Sequence, residues 1–591
     1  MKNLVRISAQ GLLCFVLLLI GCTKKQDLSQ KVLYQRVKAE VKGFDPIQAS
    51  DSYASREVSK VYETLYEYHY LKRPYTLVPN LAKGMPIISK DGSVYTVKIK
   101  KGVLFHDNKC FPGELGREMK AEDVAYSIKR LADPKLSSPN WWLLDGKIKG
   151  LNEWREEQKR AELVNYDLPI EGLKVIDDYT IEFVLAKPFP QFLYSLAMSG
   201  TAVVAREAVA MYGKEFINNP VGTGPFITGV YNPLSNKIIY YKNPKFREKF
   251  YPIEGEQSDK ANGLLKSAGA RLPFLDKIIT HIVVEHNPAW LTFLKGQIDE
   301  LEIPKDNFDS AIAPDKSVQT ELAAKGISVE IEKALDITYV AFNHDHKLFK
   351  NNVNLRRAMS LAYDGEKANK LFYHGLGIMA QTIIPPEISG YDEKFKNEYA
   401  SMNLEKAKEY LAKAGYPNGK GLPEIEYDTV STTVYRQLAV LFAKSMEQIG
   451  VKIKPVYNTW PELLNKINNR STTMHAISWI ADYPDAENFL QLLYGANSSP
   501  GSNGANYNDP AFNKEFEIVS KMQDTLERTE RYKNLAQKVS KQVPWILGVH
   551  RTDFYLKQAW LKNHKGTAFK YGVEQYWDID LEQKRKVVES L

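Results

Sequence analysis

Segments of two different hydrophobic periods alternate along most of the 591-residue chain, and this alternation limits the possible folds more than any other feature. Val94 to Ile99 alternates apolar and polar residues after the turn dipeptide Asp91-Gly92, which predicts a strand. Tyr179 to Leu185 predicts another strand after Asp177-Asp178. Between them Ala121, Val124, Ala125, Ile128 and Leu131 recur at helical spacing. From Leu404 the apolar positions 404, 407, 410, 411 and 414 share one helix face, with Asn403 as the expected N-cap and Gly415 as the expected stop. Arg528 to Val543 predicts a further amphipathic helix. The mixture predicts α/β lobes rather than an all-helical or all-β fold. A chain this long exceeds one compact core and calls for roughly two to four lobes. Residues 136–170 and 247–270 are polar and read as surface elaborations.

The first residues form a secretory leader. Lys2 and Arg6 make a positive start, Leu12 to Ile20 an apolar run, and Leu19-Ile20-Gly21-Cys22 precedes a polar stretch. The apolar run falls well short of the roughly 20 residues of a membrane-spanning helix. The four residues ending at Cys22 resemble a bacterial lipobox, which implies cleavage before Cys22 and lipidation of its thiol. More than one acyl chain suffices for stable anchoring. Thr23 after the cysteine resembles an outer-membrane address. The expected location is the periplasm or cell envelope. Of the three cysteines, Cys14 lies in the leader and Cys22 is consumed, so Cys110 stands alone as a small, partly buried thiol.

The formal charge of +8 is mild for this length, and no basic block with interleaved aromatics suggests nucleic acid. Enzyme signatures are missing: there is no GxSxG elbow and no HExxH pair. Gly415-Tyr416-Pro417-Asn418-Gly419-Lys420-Gly421 lacks the glycine spacing and the hydroxyl residue of a phosphate loop. His344 and His346 would share one face of a strand, but a solvated turn after a strand fits them better, and no third ligand is marked. One polar constellation stands out, Ser478-Trp479-Ile480-Ala481-Asp482-Tyr483-Pro484-Asp485. It places a carboxylate and two aromatics where a strand ends in a proline-bounded turn. Ligand crevices open at such strand ends, and a carboxylate with little competing charge pairs well with an ammonium. A turn-capping aspartate beside a core tryptophan reads equally from these residues.

An ordered set of motifs adds to this reading. Phe44-Asp45-Pro46, Val61-Tyr62-Glu63-Thr64-Leu65-Tyr66 and Pro79-Asn80-Leu81-Ala82 come first. Lys101-Gly102-Val103-Leu104-Phe105-His106-Asp107 and Ala121-Glu122-Asp123-Val124-Ala125-Tyr126-Ser127 follow. Gly222-Thr223-Gly224-Pro225-Phe226, Tyr339-Val340-Ala341-Phe342-Asn343, Leu355-Arg356-Arg357-Ala358 and Ala414-Gly415-Tyr416-Pro417-Asn418-Gly419 complete it. In this order they resemble the oligopeptide, dipeptide and nickel class of bacterial substrate-binding proteins, solute-binding family 5. The link from Asn108 to Lys120 is longer than the family's, and segments 136–170 and 247–270 look like insertions near the cleft rim.

The resemblance implies an α/β fold, a two-lobed clamshell of the class II periplasmic-binding-protein type with an additional α/β domain on the first lobe. It implies a signal peptide over 1–21, lobe I from 23–65, 205–305 and 544–591, the extra domain over 66–204 and lobe II over 306–543. It implies a monomer that closes on a peptide and delivers it to the permease of an ABC importer, with no catalytic step, cofactor, metal or nucleic acid. In peptide-binding members the aspartate matching Asp482 holds the ligand's α-amino group, and backbone at positions matching Ser478 and Ile480 pairs with the extended peptide. Trp479 and Tyr483 flank that site, and Ser50 and Ser52 match positions facing the ligand from the other lobe. Arg356 and Arg357 fit a structural helix pattern. The same fold also serves non-peptide ligands such as nickel chelates, opines or oligosaccharides; a secreted hydrolase and a peptide sensor or chaperone are the other readings.

Overall fold

The computed structural model describes residues 28–38, 41, 43–49, 51–229 and 236–589. The lipidation candidate Cys22 and the site candidate Ser50 lie outside them. Strand β1 (Val32–Val37) leads into helix α1 (Ser52–Val58). A four-stranded antiparallel sheet follows, from β2 (Ile87–Ile88), β3 (Val94–Lys98), β4 (Leu173–Asp177) and β5 (Thr180–Val184), in the order β2-β3-β5-β4. Helix α2 (Ala121–Ala132) lies between β3 and β4 in the chain and contacts β4 and β5. The chain then returns to β1 through β6 (Phe226–Thr228), β7 (Lys237–Lys242) and β8 (Lys277–Ile282). These complete a sheet ordered β1-β8-β7-β6, in which β1 and β8 are parallel.

The second lobe is built on a five-stranded sheet. Its strands are β11 (Asp336–Phe342), β12 (Ile425–Val430), β13 (Ile453–Asn458), β14 (Met474–Ile480) and β15 (Trp545–Leu547), in the order β13-β12-β14-β11-β15. Both faces of this sheet are covered, which explains why β11 reads as a nearly continuous apolar run. Ile337, Tyr339 and Ala341 enter one core and Val340 and Phe342 the other, as the two-residue period of a strand requires. Between the lobes, β9 (Glu300–Glu302), β10 (Ser328–Lys333) and β16 (Thr552–Lys557) form a small sheet ordered β9-β16-β10. The chain passes from one lobe to the other through these strands. Its C-terminal end rejoins the first core with Trp560 and Trp577, both almost fully buried. The architecture is the two-lobed α/β clamshell with an added domain. Among the described residues no helix is long and apolar enough to cross a membrane.

Local signals place most elements. Helix α3 (Val353–Ala362) is tied down by Arg356, whose guanidinium donates to the carbonyls of Val543, Phe349 and Gln542. Helix α4 (Leu404–Lys413) starts where Asn403 Oδ1 accepts from Lys406 N, and Gly415 follows its end at φ 94°. Helix α5 (Leu526–Ser540) starts earlier than the sequence suggests, because the Thr525 hydroxyl caps it by accepting from Arg528 N. Segment 136–170 corrects an expectation. It is not only a surface elaboration, since Leu143, Leu144, Ile148, Leu151 and Trp154 all enter the first core. Its helix Leu151–Arg160 buries positions 151, 154 and 158, one helical stripe that its charged residues conceal from a composition scan. Segment 247–270 likewise buries Tyr251 and Asp259.

The motif aspartate Asp45 explains how the added domain is fastened. Both of its carboxylate oxygens accept from the Arg130 guanidinium of α2 at 2.6 Å, and both side chains are buried. Removing one partner of such a pair strands a buried charge, which typically costs about 3–5 kcal/mol. Asp45→Ala should therefore lower the unfolding free energy, measured by urea titration followed by tryptophan fluorescence, by an amount in that range. The double change Asp45→Ala/Arg130→Met should recover most of the loss, because no charge is then left unpaired.

Candidate functional site

Strand β14 has one paired edge and one largely open edge. Along its whole length it pairs with β11, from Asp336 opposite Ile480 to Phe342 opposite Met474. On the other side β12 reaches only Met474 and His475. The N–H of Ala481, just past the strand, donates to Leu335 O at 2.8 Å, on the β11 side. Successive backbone groups of a strand point to alternate sides. Ser478 and Ile480 therefore turn their N–H and C=O groups toward the other edge, beyond the point where β12 stops. Ile480 is 64% exposed, unusual for isoleucine in a central strand. An open edge of this kind accepts another extended backbone.

The loop after β14 presents a carboxylate at the end of that edge. Asn488, buried on the helix Glu487–Leu490, organises it. Its Oδ1 accepts from the Trp479 indole at 3.0 Å and from the Asp482 backbone N–H at 3.1 Å. Its Nδ2 donates to Asp482 Oδ2 at 3.1 Å. One amide thus sets both the tryptophan and the carboxylate. Asp485 does a different job: it takes both ends of the Arg528 guanidinium at 2.8 Å and is buried. The two acids of the motif divide into a structural Asp485 and an available Asp482.

The opposite wall of the cleft meets this loop. Tyr194 stacks on Tyr483, with ring centroids 5.4 Å apart and planes 8° from parallel. The Tyr483 hydroxyl donates to Glu487 Oε2 at 2.7 Å. Burial raises the Asp482 carboxyl above its ordinary range, against the pull of Asn488 and of the Lys147 charge. That lysine corrects the expectation of little competing charge near Asp482. It stands on the opposite wall, where its ammonium donates to Trp142 O at 2.6 Å. Burial pulls it down to about 8, opposed by Asp145, Glu487 and Asp482. Glu487 is pushed up to about 7 by burial.

Toward the connecting strands lies an interlobe cavity of about 250 Å³. Ser52 lines it from α1, as do Arg36 from β1 and Glu332 from β10. Tyr571 also lines it, and the same tyrosine lies within reach of the Asp482 charge. The structure thus groups Ser478, Trp479, Ile480, Asp482 and Tyr483 at one end of the cleft and sets Ser52 in the adjoining cavity. Asn488, Tyr194, Lys147, Arg36 and Tyr571 were missed from sequence. Only Asn488 is close to the motif, and no spacing rule marks the others.

The histidine pair does not converge on a shared ligand position. His344 is buried edge-on against Tyr507 and pulled down to about 3 by burial and the Arg356 charge, whereas His346 leans toward Phe349. Among the described residues no group of three His, Cys, Asp or Glu side chains is placed to hold a metal ion. Cys110 is half-buried, and burial pushes its thiol up to about 11.

Residues 76–501 match the family described as bacterial extracellular solute-binding proteins, family 5. The chain is 28% identical to heme-binding protein A of Haemophilus influenzae over 575 residues, 95% of this chain and 94% of that one. It is 25% identical to the dipeptide-binding protein of Escherichia coli over 560 residues, 93% of this chain and 95% of that one. Its fold superposes on HbpA2 from Haemophilus parasuis with a TM-score of 0.75 at 23% identity, covering 93% of this chain and all of the other. Helicobacter pylori DppA in complex with the peptide STSA gives 0.66 at 24% identity, covering 93% and 98%.

Glu487 yields a pH prediction. Its folded value near 7 lies above its ordinary 4.5, so burial favours the neutral carboxyl. That contribution is fully present below about pH 4.5 and is lost as pH rises through about 7. Glu487→Gln should therefore match the wild type in stability near pH 4. Above pH 7 it should be more stable, by up to ~3 kcal/mol. Urea titrations at pH 4, 6 and 8 measure the difference; a constant offset across the series would contradict the assignment.

Proposed function

The chain belongs to the bacterial extracellular solute-binding proteins, family 5, and we propose that it captures di- to oligopeptides between its lobes for an ABC importer. The observation that carries this reading is the open edge of β14 ending at the oriented carboxylate of Asp482. Backbone at Ser478 and Ile480 pairs with an extended peptide, and Asp482 takes its α-ammonium through a charge-assisted hydrogen bond. Trp479 and Tyr483 wall the amine site, and Ser52 approaches from the other lobe; Ser50, outside the described residues, is assigned to the ligand by the resemblance alone. Backbone pairing leaves side chains largely unread, so selection is broad.

The dipeptide-binding relative supports a peptide, while the heme-binding relative names a different ligand. The β14 edge favours the peptide, because only another extended backbone complements a row of strand N–H and C=O groups. Ligand binding biases a hinge equilibrium toward the closed form, since the closed state alone contacts the ligand from both lobes. Closure excludes water and strengthens the few charged contacts. No bond is made or broken. The closed monomer docks on a membrane permease, and a lipid on Cys22 keeps it at the membrane surface in the cell envelope.

Asp482→Ala tests this reading by isothermal titration calorimetry. A hydrogen bond to a charged group is worth about 1.5–3 kcal/mol, so free-amine trialanine should bind roughly 10- to 100-fold more weakly. N-acetyl-trialanine should lose little further affinity. Equal losses for both peptides would remove Asp482 from the amine role.

A further inference from the structure

Among the described residues, one cation lining the cavity between the lobes makes no ion pair within 4 Å. Four cationic side chains line it, and three have a carboxylate in range: Lys38 pairs with Glu302, Arg56 with Glu300 at 2.7 Å and Lys570 with Glu332 at 3.1 Å. Arg36, on β1, makes no ion pair within 4 Å among the described residues. It is 92% buried, with 8% of its surface exposed. Its Nε and Nη2 donate to the carbonyls of Val283, Val284 and Glu285 at 2.7, 2.9 and 3.3 Å. Among the described residues its Nη1 has no hydrogen-bond partner.

We propose that this cavity receives a carboxylate of the ligand and that the Arg36 guanidinium binds it. The inference rests on the peptide reading above and deepens it, because a peptide held by its amine at Asp482 must still place its negative end. Tyr571 joins the two places: it lines the cavity and packs against the same core as Trp479 and Ala481. An unpaired buried guanidinium is costly unless an anion arrives. Burial accordingly pulls the Arg36 guanidinium below its usual range, and Glu302 only partly offsets this. Glu332 is a poor internal substitute, since burial pushes it up to about 7 and its charge faces Lys570. Three backbone carbonyls fix the orientation of the guanidinium before any ligand enters. An arginine pre-organised in this way binds a carboxylate with little further entropy loss.

The carboxylate has two possible sources, the peptide's C-terminus or an acidic side chain. Calorimetry on the full chain with four probes separates them: trialanine, trialanine amide, N-acetyl-trialanine and the amide of Ala-Glu-Ala. The wild type should prefer trialanine to its amide by roughly 10- to 100-fold, the range for a charge-assisted contact. Arg36→Gln should bring the two within about threefold by weakening only the acid. If the amide of Ala-Glu-Ala regains the lost affinity in the wild type but not in Arg36→Gln, the source is the side chain; if it does not, the source is the terminus. A purely structural Arg36, holding only the 283–285 carbonyls, predicts weaker binding of acid and amide alike. The proposal is overturned if the wild type prefers neither trialanine nor the amide of Ala-Glu-Ala to trialanine amide, or if Arg36→Gln leaves that preference unchanged. Should Arg36→Gln fold poorly, Arg36→Lys decides: a reduced preference supports the proposal and an unchanged one overturns it. The N-acetyl probe reports on the amine site alone, so either half can fail by itself. A wild type that binds none of the four overturns both.

Discussion

A buried ion network around Arg56 holds together the floor of the cleft. Arg56, on α1, reaches Glu300 on β9 at 2.7 Å and Glu574 near the C-terminus at 2.6 Å. Lys60 pairs with Glu57 and lies 3.7 Å from Glu574, the Tyr240 hydroxyl donates to Glu57, and His564 Nε2 stands 3.0 Å from the far oxygen of Glu300. Burial opposes the charges of Arg56 and Glu300. It would raise the Glu300 carboxyl, yet Arg56 and His564 together hold it well below the usual carboxylate range. Such networks add little net stability over apolar packing, but losing one member is expensive. The consequence is geometric: β9, α1 and residues 564–574, distant in sequence, are locked at the point where the chain crosses between lobes.

That fixed floor determines what can move. The walls above it touch through Tyr194 on Tyr483 and through the charges of Lys147, Asp482 and Glu487, contacts far weaker than the Arg56 network. Aromatic stacking and partly screened charges are contacts a ligand can displace at modest cost. Lys147 is the sharpest case, because it offers Asp482 an internal ammonium where the proposed ligand brings its own.

Local periodicity and caps made much of the architecture readable. Asn403, Gly415 and the stripe from Leu404 mark α4 because the signals lie within one helix and need no distant partner. The helix Leu151–Arg160 was less legible, since its charged residues lower the average while a stripe at 151, 154 and 158 does the packing. The motif from Ser478 to Asp485 could be found but not divided. Nothing local distinguishes Asp482 from Asp485. Arg528, brought alongside by α5, consumes Asp485, and Asn488 leaves Asp482 oriented and available.

The sequence by itself determined the family, the α/β lobes and the position of the Asp482 loop. Each is written in residue order or in short-range period, which survives without knowledge of the fold. Only the tertiary structure decided the open edge of β14, the approach of Lys147 to Asp482 and the place of Arg36 in the interlobe cavity, without an ion pair among the described residues. Each depends on where another strand stops or on which distant charge has already found a partner. Burial and pairing are properties of the assembled lobes, and no local pattern in the chain encodes them.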